Sequence, residues 1–324
     1  MEEQVSFDTT LYILDKHEMI ECKAFSKFHS FPYQDDRGEV SRLFRRLPSF
    51  THVTSAHLEI WIPDVDEALS SDIAHYIETT SALKELHLTI WLRQLLPEAA
   101  KIGWAAILKS LRQNTSVNDL RVVTRFMSGP DIQLLADTLN SCQNVRRAHV
   151  RVGKPELAAA FVRRLRDGIE CNYNLLRLTV DGCDLSRSGV SKEWFAIWDI
   201  TRRNSDLVAR AAKYLNGTLV DRYGAEALER IGKHPSLQQE VAHLLSMSEV
   251  EAATLLRTEL KDMQSLDGFM RASGVVKDRV SCEKREDGHL RLDDLNEDCW
   301  SLVRRHLQVR DVKDPALTAD TEEL

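Results

Sequence analysis

The sequence predicts an α/β solenoid of about five degenerate helix–turn–strand repeats, followed by a mainly α-helical C-terminal region. Three observations predict it. Short apolar segments recur at intervals near 30 residues. Inside each interval the apolar positions switch from a helical to a strand period. The recurrence stops near Leu185, where helix-start signals take over.

The recurring segments are VTSAHL (53–58), LKELHL (83–88), VNDLRV (117–122), VRRAHV (145–150) and LLRLTV (175–180). Counted from the first residue of each, positions −10, −6, zero, +3 and +5 are apolar in every unit. The five sets are Leu43, Leu47, Val53, Ala56, Leu58; Ile73, Ile77, Leu83, Leu86, Leu88; Ile107, Leu111, Val117, Leu120, Val122; Leu135, Leu139, Val145, Ala148, Val150; and Leu165, Ile169, Leu175, Leu178, Val180. In a chain that is 43% apolar, chance does not supply such agreement. Frames starting at 53, 83, 117, 145 and 175 are separated by 30, 34, 28 and 30 residues.

Positions −10 and −6 lie four apart and share one face of a helix, whereas +3 and +5 lie two apart and share one side of a strand. Each unit therefore reads as helix, turn, strand, with a core completed by stacking units. Asn114 and Asn172, three residues before their frames, suit the helix-to-strand turn.

This pattern resembles the ribonuclease-inhibitor type of leucine-rich repeat. The fifth unit is nearest, since Leu175, Leu178, Val180, Cys183 and Leu185 fill the family pattern LxxLxLxx(N/C)xL. The other units carry Trp61, Trp91, Arg125 and Gly153 at the Asn/Cys position, which implies an irregular turn ladder and a distorted horseshoe. The resemblance covers residues 43–185. The segments TRRNSDLVARAA, GKHPSL and FMRASGVVK are similar to arthropod families that join such repeats to helices, related by repeat type to intracellular NLR receptors. The GxxxxGK[ST] loop of the NLR ATPase module does not occur in this sequence.

The expected organisation is an N-terminal cap or worn repeat over 1–42, repeats over 43–190, and a helical region over 191–280. A small hairpin plus amphipathic helix spans 281–313, and a disordered acidic tail 314–324. Ser236-x-x-Gln239 after Pro235 and Ser248-x-x-Glu251 read as capping-box starts. RVSCEK, Asp287-Gly288 and HLRL read as a hairpin. In residues 292–312, Trp300, Val303 and Leu307 share a helical face, with Asn296 as its cap. Leu292, Leu295, Val303, Leu307, Asp311 and Val312 also resemble the opening of an F-box, with Asn296 where the family has proline. That resemblance implies contact with a Skp-type adaptor; the simpler reading is an amphipathic helix packed on the bundle.

No motif carries chemistry. HExxH, GxSxG and GxGxxG after a strand are missing, and the six cysteines form no CxxC pair, so no catalytic residue, cofactor or metal site is expected. The x6, x9, x6 spacing of Cys282, His289, Cys299 and His306 fits no common zinc finger. Net charge of −7 gives no reason to expect nucleic acid or an anionic membrane as partner. Without a signal segment or apolar span, a cytoplasmic location is expected.

The one suggestive constellation follows from the strand period. Position +4 points away from the core and holds His57, His87, Arg121, His149 and Thr179; +2 and +6 add Arg147, Arg177 and Arg151. Stacked strands would gather these into a basic, histidine-rich column suited to an acidic or phosphorylated protein segment. Pairing with Glu85, Asp119 and Asp181 would instead make it an ordinary solvated face. The expected function is a non-enzymatic protein-interaction module; the alternative is substrate recognition within a cullin-type ubiquitin ligase.

Overall fold

The computed structural model describes residues 27–30, 37–61, 67–91, 103–124, 127–182, 189–282 and 291–313. The protein is a mixed α/β molecule that divides after Arg202 into two compact units.

In the first unit, β1 (Lys27–Ser30), β2 (Ser55–Trp61), β3 (Glu85–Trp91), β4 (Asp119–Thr124), β5 (Arg147–Val152) and β6 (Arg177–Asp181) form one six-stranded sheet. Every pair is parallel and the strands lie in chain order. Between them run α1 (Arg37–Arg46), α2 (Glu67–Thr79), α3 (Trp104–Gln113), α4 (Gly129–Ser141) and α5 (Pro155–Gly168), each packed on the next. Parallel crossovers share one hand, and the strand order never reverses, so the helices all lie on one side of the sheet.

The core sits between these layers. Every apolar template position is buried except Leu178, which is half-buried yet packed against the core. The exception has a topological cause, because among the described residues β6 pairs only with β5. The register aligns the frames residue for residue: Ala56, Leu86, Leu120, Ala148 and Leu178 are successive partners, as are Leu58, Leu88, Val122, Val150 and Val180.

The helix-to-strand turns are tied to the preceding unit through position −3. Asn114 donates to the Ile77 carbonyl at 2.6 Å, Cys142 to Leu111 at 3.6 Å, and Asn172 to Leu139 at 3.0 Å. The acceptor each time is the −6 residue of the unit before. Asn114 Oδ1 also accepts the Ser116 and Val117 N–H groups, and Asn172 Oδ1 those of Asn174 and Leu175. One amide thus satisfies a helix-end carbonyl and two turn N–H groups, all otherwise without intrahelical partners.

β1 adds a strand ahead of the first recognised unit, with Phe28 opposite Ala56 and His29 opposite His57. At the family pattern's Asn/Cys position, Trp61 and Trp91 end their strands as register partners. Arg125, Cys183 and Leu185 lie outside the described residues. The unit is completed by the start of α6 (Ser191–Leu215), which brings Val190 and Ile197 into the core, with Trp194 and Ile200 against it.

The second unit is helical: the rest of α6, α7 (Arg222–Gly232), α8 (Pro235–Leu244), α9 (Glu249–Asp262), α10 (Leu266–Ala272) and α11 (Glu297–Arg304). Leu228, Ile231, Leu237, Val241, Leu256 and Phe269 are buried there. The Ser248–Glu251 capping box forms, and Asn296 caps α11 by accepting from Cys299 N at 2.8 Å.

Three expectations require correction. Ser236 is not the N-cap; α8 begins at Pro235, whose fixed φ and missing N–H suit the first helical position, with His234 as an N-cap that makes no side-chain capping bond. The helix expected after Asn296, with Trp300, Val303 and Leu307 on one face, is α11, which ends at Arg304 before Leu307 and is flanked by 3-10 turns at Leu292–Asp294 and Val309–Asp311. Its inward residues are Trp300 and Arg304, while Val303 is 43% exposed. Most of the expected hairpin lies outside the described residues, but 279–282 and 291–292 are not strand. There the Val280 N–H donates to Asp267 and the Cys282 N–H to Asp293, so carboxylates take N–H groups that a hairpin would pair. The tail 314–324 and residues 1–26 are also outside the described residues. Among the described residues no helix is long and apolar enough to cross a membrane.

Candidate protein-binding surface

The sheet face opposite the helices is built by three rows of side chains running across the strands. Parallel registration brings His57, His87, Arg121, His149 and Thr179 into one row. Ser55, Glu85, Asp119, Arg147 and Arg177 form a second, and Glu59, Thr89, Val123, Arg151 and Asp181 a third. All seven predicted residues, His57, His87, Arg121, Arg147, His149, Arg151 and Arg177, therefore stand on this face. His57, His87, Arg121, Arg147 and His149 are half-buried, whereas Arg151, Arg177 and Thr179 are exposed. Thr89 and Val123 are buried, so the face is most open over β5 and β6.

Charge on this face is segregated rather than uniformly basic. Glu59, Glu85 and Asp119 stand on β2–β4; the four arginines stand on β4–β6, with Asp181 as the one carboxylate of this face on β6 among the described residues. Arg147 Nε bonds Asp119 at 3.0 Å, and His149 Nε2 lies 2.7 Å from Asp181. Two of the carboxylates expected to neutralise the row do so. Among the described residues, Arg121, Arg151 and Arg177 form no ion pair. The His57 and His87 rings meet edge to face, centroids 5.2 Å apart. Burial pushes the His87 imidazole below the ordinary histidine range; Arg121 and His149 act in the same direction, while Asp119 and Glu85 oppose it.

The sequence reading missed the first strand's contribution. By backbone register, His29 is the partner of His57 and Lys27 that of Ser55. The signal was present: an apolar residue followed by histidine recurs as Phe28-His29, Ala56-His57, Leu86-His87 and Ala148-His149. β1 escaped the template because its +5 position is Ser30.

Among the described residues no group of three or more His, Cys, Asp or Glu is placed to hold a metal ion. Burial pushes the Cys142 thiol up to about 12, away from nucleophilic use. His289, part of the weighed zinc set, lies outside the described residues. In the second unit, a cavity of about 830 Å³ is lined by Asp267, Asp293 and Trp300. Its polar groups serve the fold: both carboxylates accept backbone N–H groups, and Trp300 donates to the Gln264 carbonyl at 2.7 Å.

Of the F-box-like residues, Leu292, Leu295, Leu307 and Val312 are half-buried and Val303 and Asp311 are exposed; the residues packed inward are their neighbours. α11 turns Trp300 and Arg304 into the second unit, where Arg304 pairs with buried Glu229 and stacks 4.5 Å over the Phe269 ring. Comparison with protein-family models found no match, and none was found among curated proteins.

Proposed function

We propose that the first unit is a solenoid of degenerate ribonuclease-inhibitor-type leucine-rich repeats, and that it acts as a non-enzymatic, cytoplasmic protein-interaction module. Its docking surface is the sheet face bearing His57, His87, Arg121, Arg147, His149, Arg151 and Arg177.

One observation carries the reading. An all-parallel sheet normally has helices on both faces and strands that are apolar throughout. Among the described residues the helices cover one face only, and the strands alternate apolar with polar residues instead. A parallel sheet left uncovered, ordered in chain sequence and rich in histidine and arginine is suited to receive another chain.

The test is affinity capture with mass spectrometry, using the whole chain as bait beside two charge reversals. Arg121→Glu lies on the open face; Arg163→Glu lies on the exposed side of α5. The reading expects a set of proteins retained by the parent and by Arg163→Glu but lost with Arg121→Glu. Identical recovery with all three baits would place binding elsewhere.

A further inference from the structure

The face described above is half neutralised and half not, and the distinction identifies the kind of partner. This inference rests on the docking reading and deepens it. Asp119 engages Arg147, and Asp181 engages His149. Arg121, Arg151 and Arg177 are left as three cations without a carboxylate among the described residues. Arg177 is also the register partner of Arg147, and Arg121 that of His149. Like charges in directly opposed positions destabilise a sheet, so local packing does not account for them.

The register fixes the spacing of the three. Neighbouring strands lie about 4.8 Å apart, and two residues along a strand span about 6.6 Å. Arg121 and Arg151 are one strand and two positions apart, hence about 8 Å between backbones. Arg121 and Arg177 are two strands and two positions apart, about 12 Å; Arg151 and Arg177, one strand and four positions apart, about 14 Å. A single anion such as one phosphate does not span such a triangle. An extended peptide spans its long edge, because same-side residues fall about 6.6 Å and 13 Å apart at alternate and every fourth positions. Arg121 stands about 7 Å to the side of that edge, within the reach of an arginine side chain.

We propose that β4–β6 form a receptor for an extended acidic peptide segment whose alternate carboxylates engage Arg121, Arg151 and Arg177. The site holds a short acidic stretch, not a long polyanion. Glu59 and Glu85 on β2 and β3 repel anything that continues across the sheet, and the whole chain carries −7. Planar guanidinium groups suit carboxylates, and binding of this kind weakens with salt.

The test is fluorescence anisotropy on the full chain with a labelled Glu-Ser-Glu-Ser-Glu-Ser-Glu peptide. Its Gln-for-Glu counterpart and a short oligothymidylate serve as competing probes. The expected result is binding of the Glu peptide at least about tenfold tighter than of the Gln peptide, weakened by raising the salt. Arg177→Glu and Arg151→Glu should each weaken it by about tenfold or more, with thermal melting unchanged, while Arg163→Glu leaves it intact. Equal binding of the Gln peptide, tighter binding of the oligothymidylate, or equal weakening by Arg163→Glu would overturn the proposal. If no peptide binds yet captured proteins still depend on Arg121, the acidic-segment proposal falls and the docking face stands. If capture is also independent of Arg121, both fall.

Discussion

Asn114 shows how much one side chain contributes at a turn. It is buried, donates to the Ile77 and Thr80 carbonyls at 2.6 and 3.0 Å, and accepts two N–H groups. Asn114→Ala orphans the Ile77 carbonyl and both N–H groups, while the Thr80 carbonyl keeps the Ser116 hydroxyl at 3.1 Å, and loss of about 3 kcal/mol in denaturant unfolding is expected. Thr79→Ala, whose hydroxyl only bonds helix carbonyls at the surface, should cost under about 0.5 kcal/mol. The inward–outward assignment is tested one residue apart: Leu120→Asp places an unpaired charge in the core and should prevent folding, while Arg121→Asp should melt like the parent. Leu120 is a stricter probe than Leu178, which the edge strand leaves half-buried. His87 adds a pH dependence with a definite sign. Its folded-state affinity for protons is below that of the unfolded chain, so the unfolded state gains protons first as pH falls. Stability present above the ordinary histidine range is lost on acidification below about 6.5. Denaturation at pH 7.5 and 5.5 should show the parent losing more stability than His87→Gln.

At the scale of elements, legibility followed the strength of the local pattern. β2–β6 and the helices before them were readable because −10, −6, zero, +3 and +5 are set by burial, and burial selects apolar residues. β1 was not, since its register partner to Leu58 is Ser30, where the template has an apolar residue. The outward residues were placed correctly because side chains alternate with period two, so one correct register fixes every face. Their pairing was only half legible. Sequence offered Glu85, Asp119 and Asp181 as partners, and only geometry shows that Asp119 takes Arg147 and Asp181 takes His149. In the C-terminal segment Asn296 and Trp300 were legible but Val303 and Leu307 were not part of the packed face, because its strongest contact is polar. Arg304 is buried, stacks on Phe269, donates to the Met263 carbonyl at 3.1 Å and pairs with Glu229, which also accepts the Val309 N–H. An apolar stripe cannot reveal that anchor. Arg304→Ala should therefore destabilise the second unit by about 3–5 kcal/mol, because Glu229 remains buried and uncompensated. Val303→Ala at the exposed position should change stability by under about 0.5 kcal/mol. Urea titration followed by circular dichroism separates the two.

Over the whole molecule, the informative asymmetry is between the two faces of one parallel sheet. Burial behind the sheet is nearly complete, and its polar side ends in three arginines that no carboxylate among the described residues neutralises. A surface kept polar, charged and uncovered across an otherwise packed layer is the central element of the functional account. Its most direct test is histidine footprinting of the whole chain with diethyl pyrocarbonate, with and without a captured partner bound. His57, His87 and His149 lie on the face; His75 and His243 are exposed on helices elsewhere. The account predicts that the partner slows labelling of His57, His87 and His149 and leaves His75 and His243 unchanged. Protection of His75 or His243 with an unprotected face would contradict it.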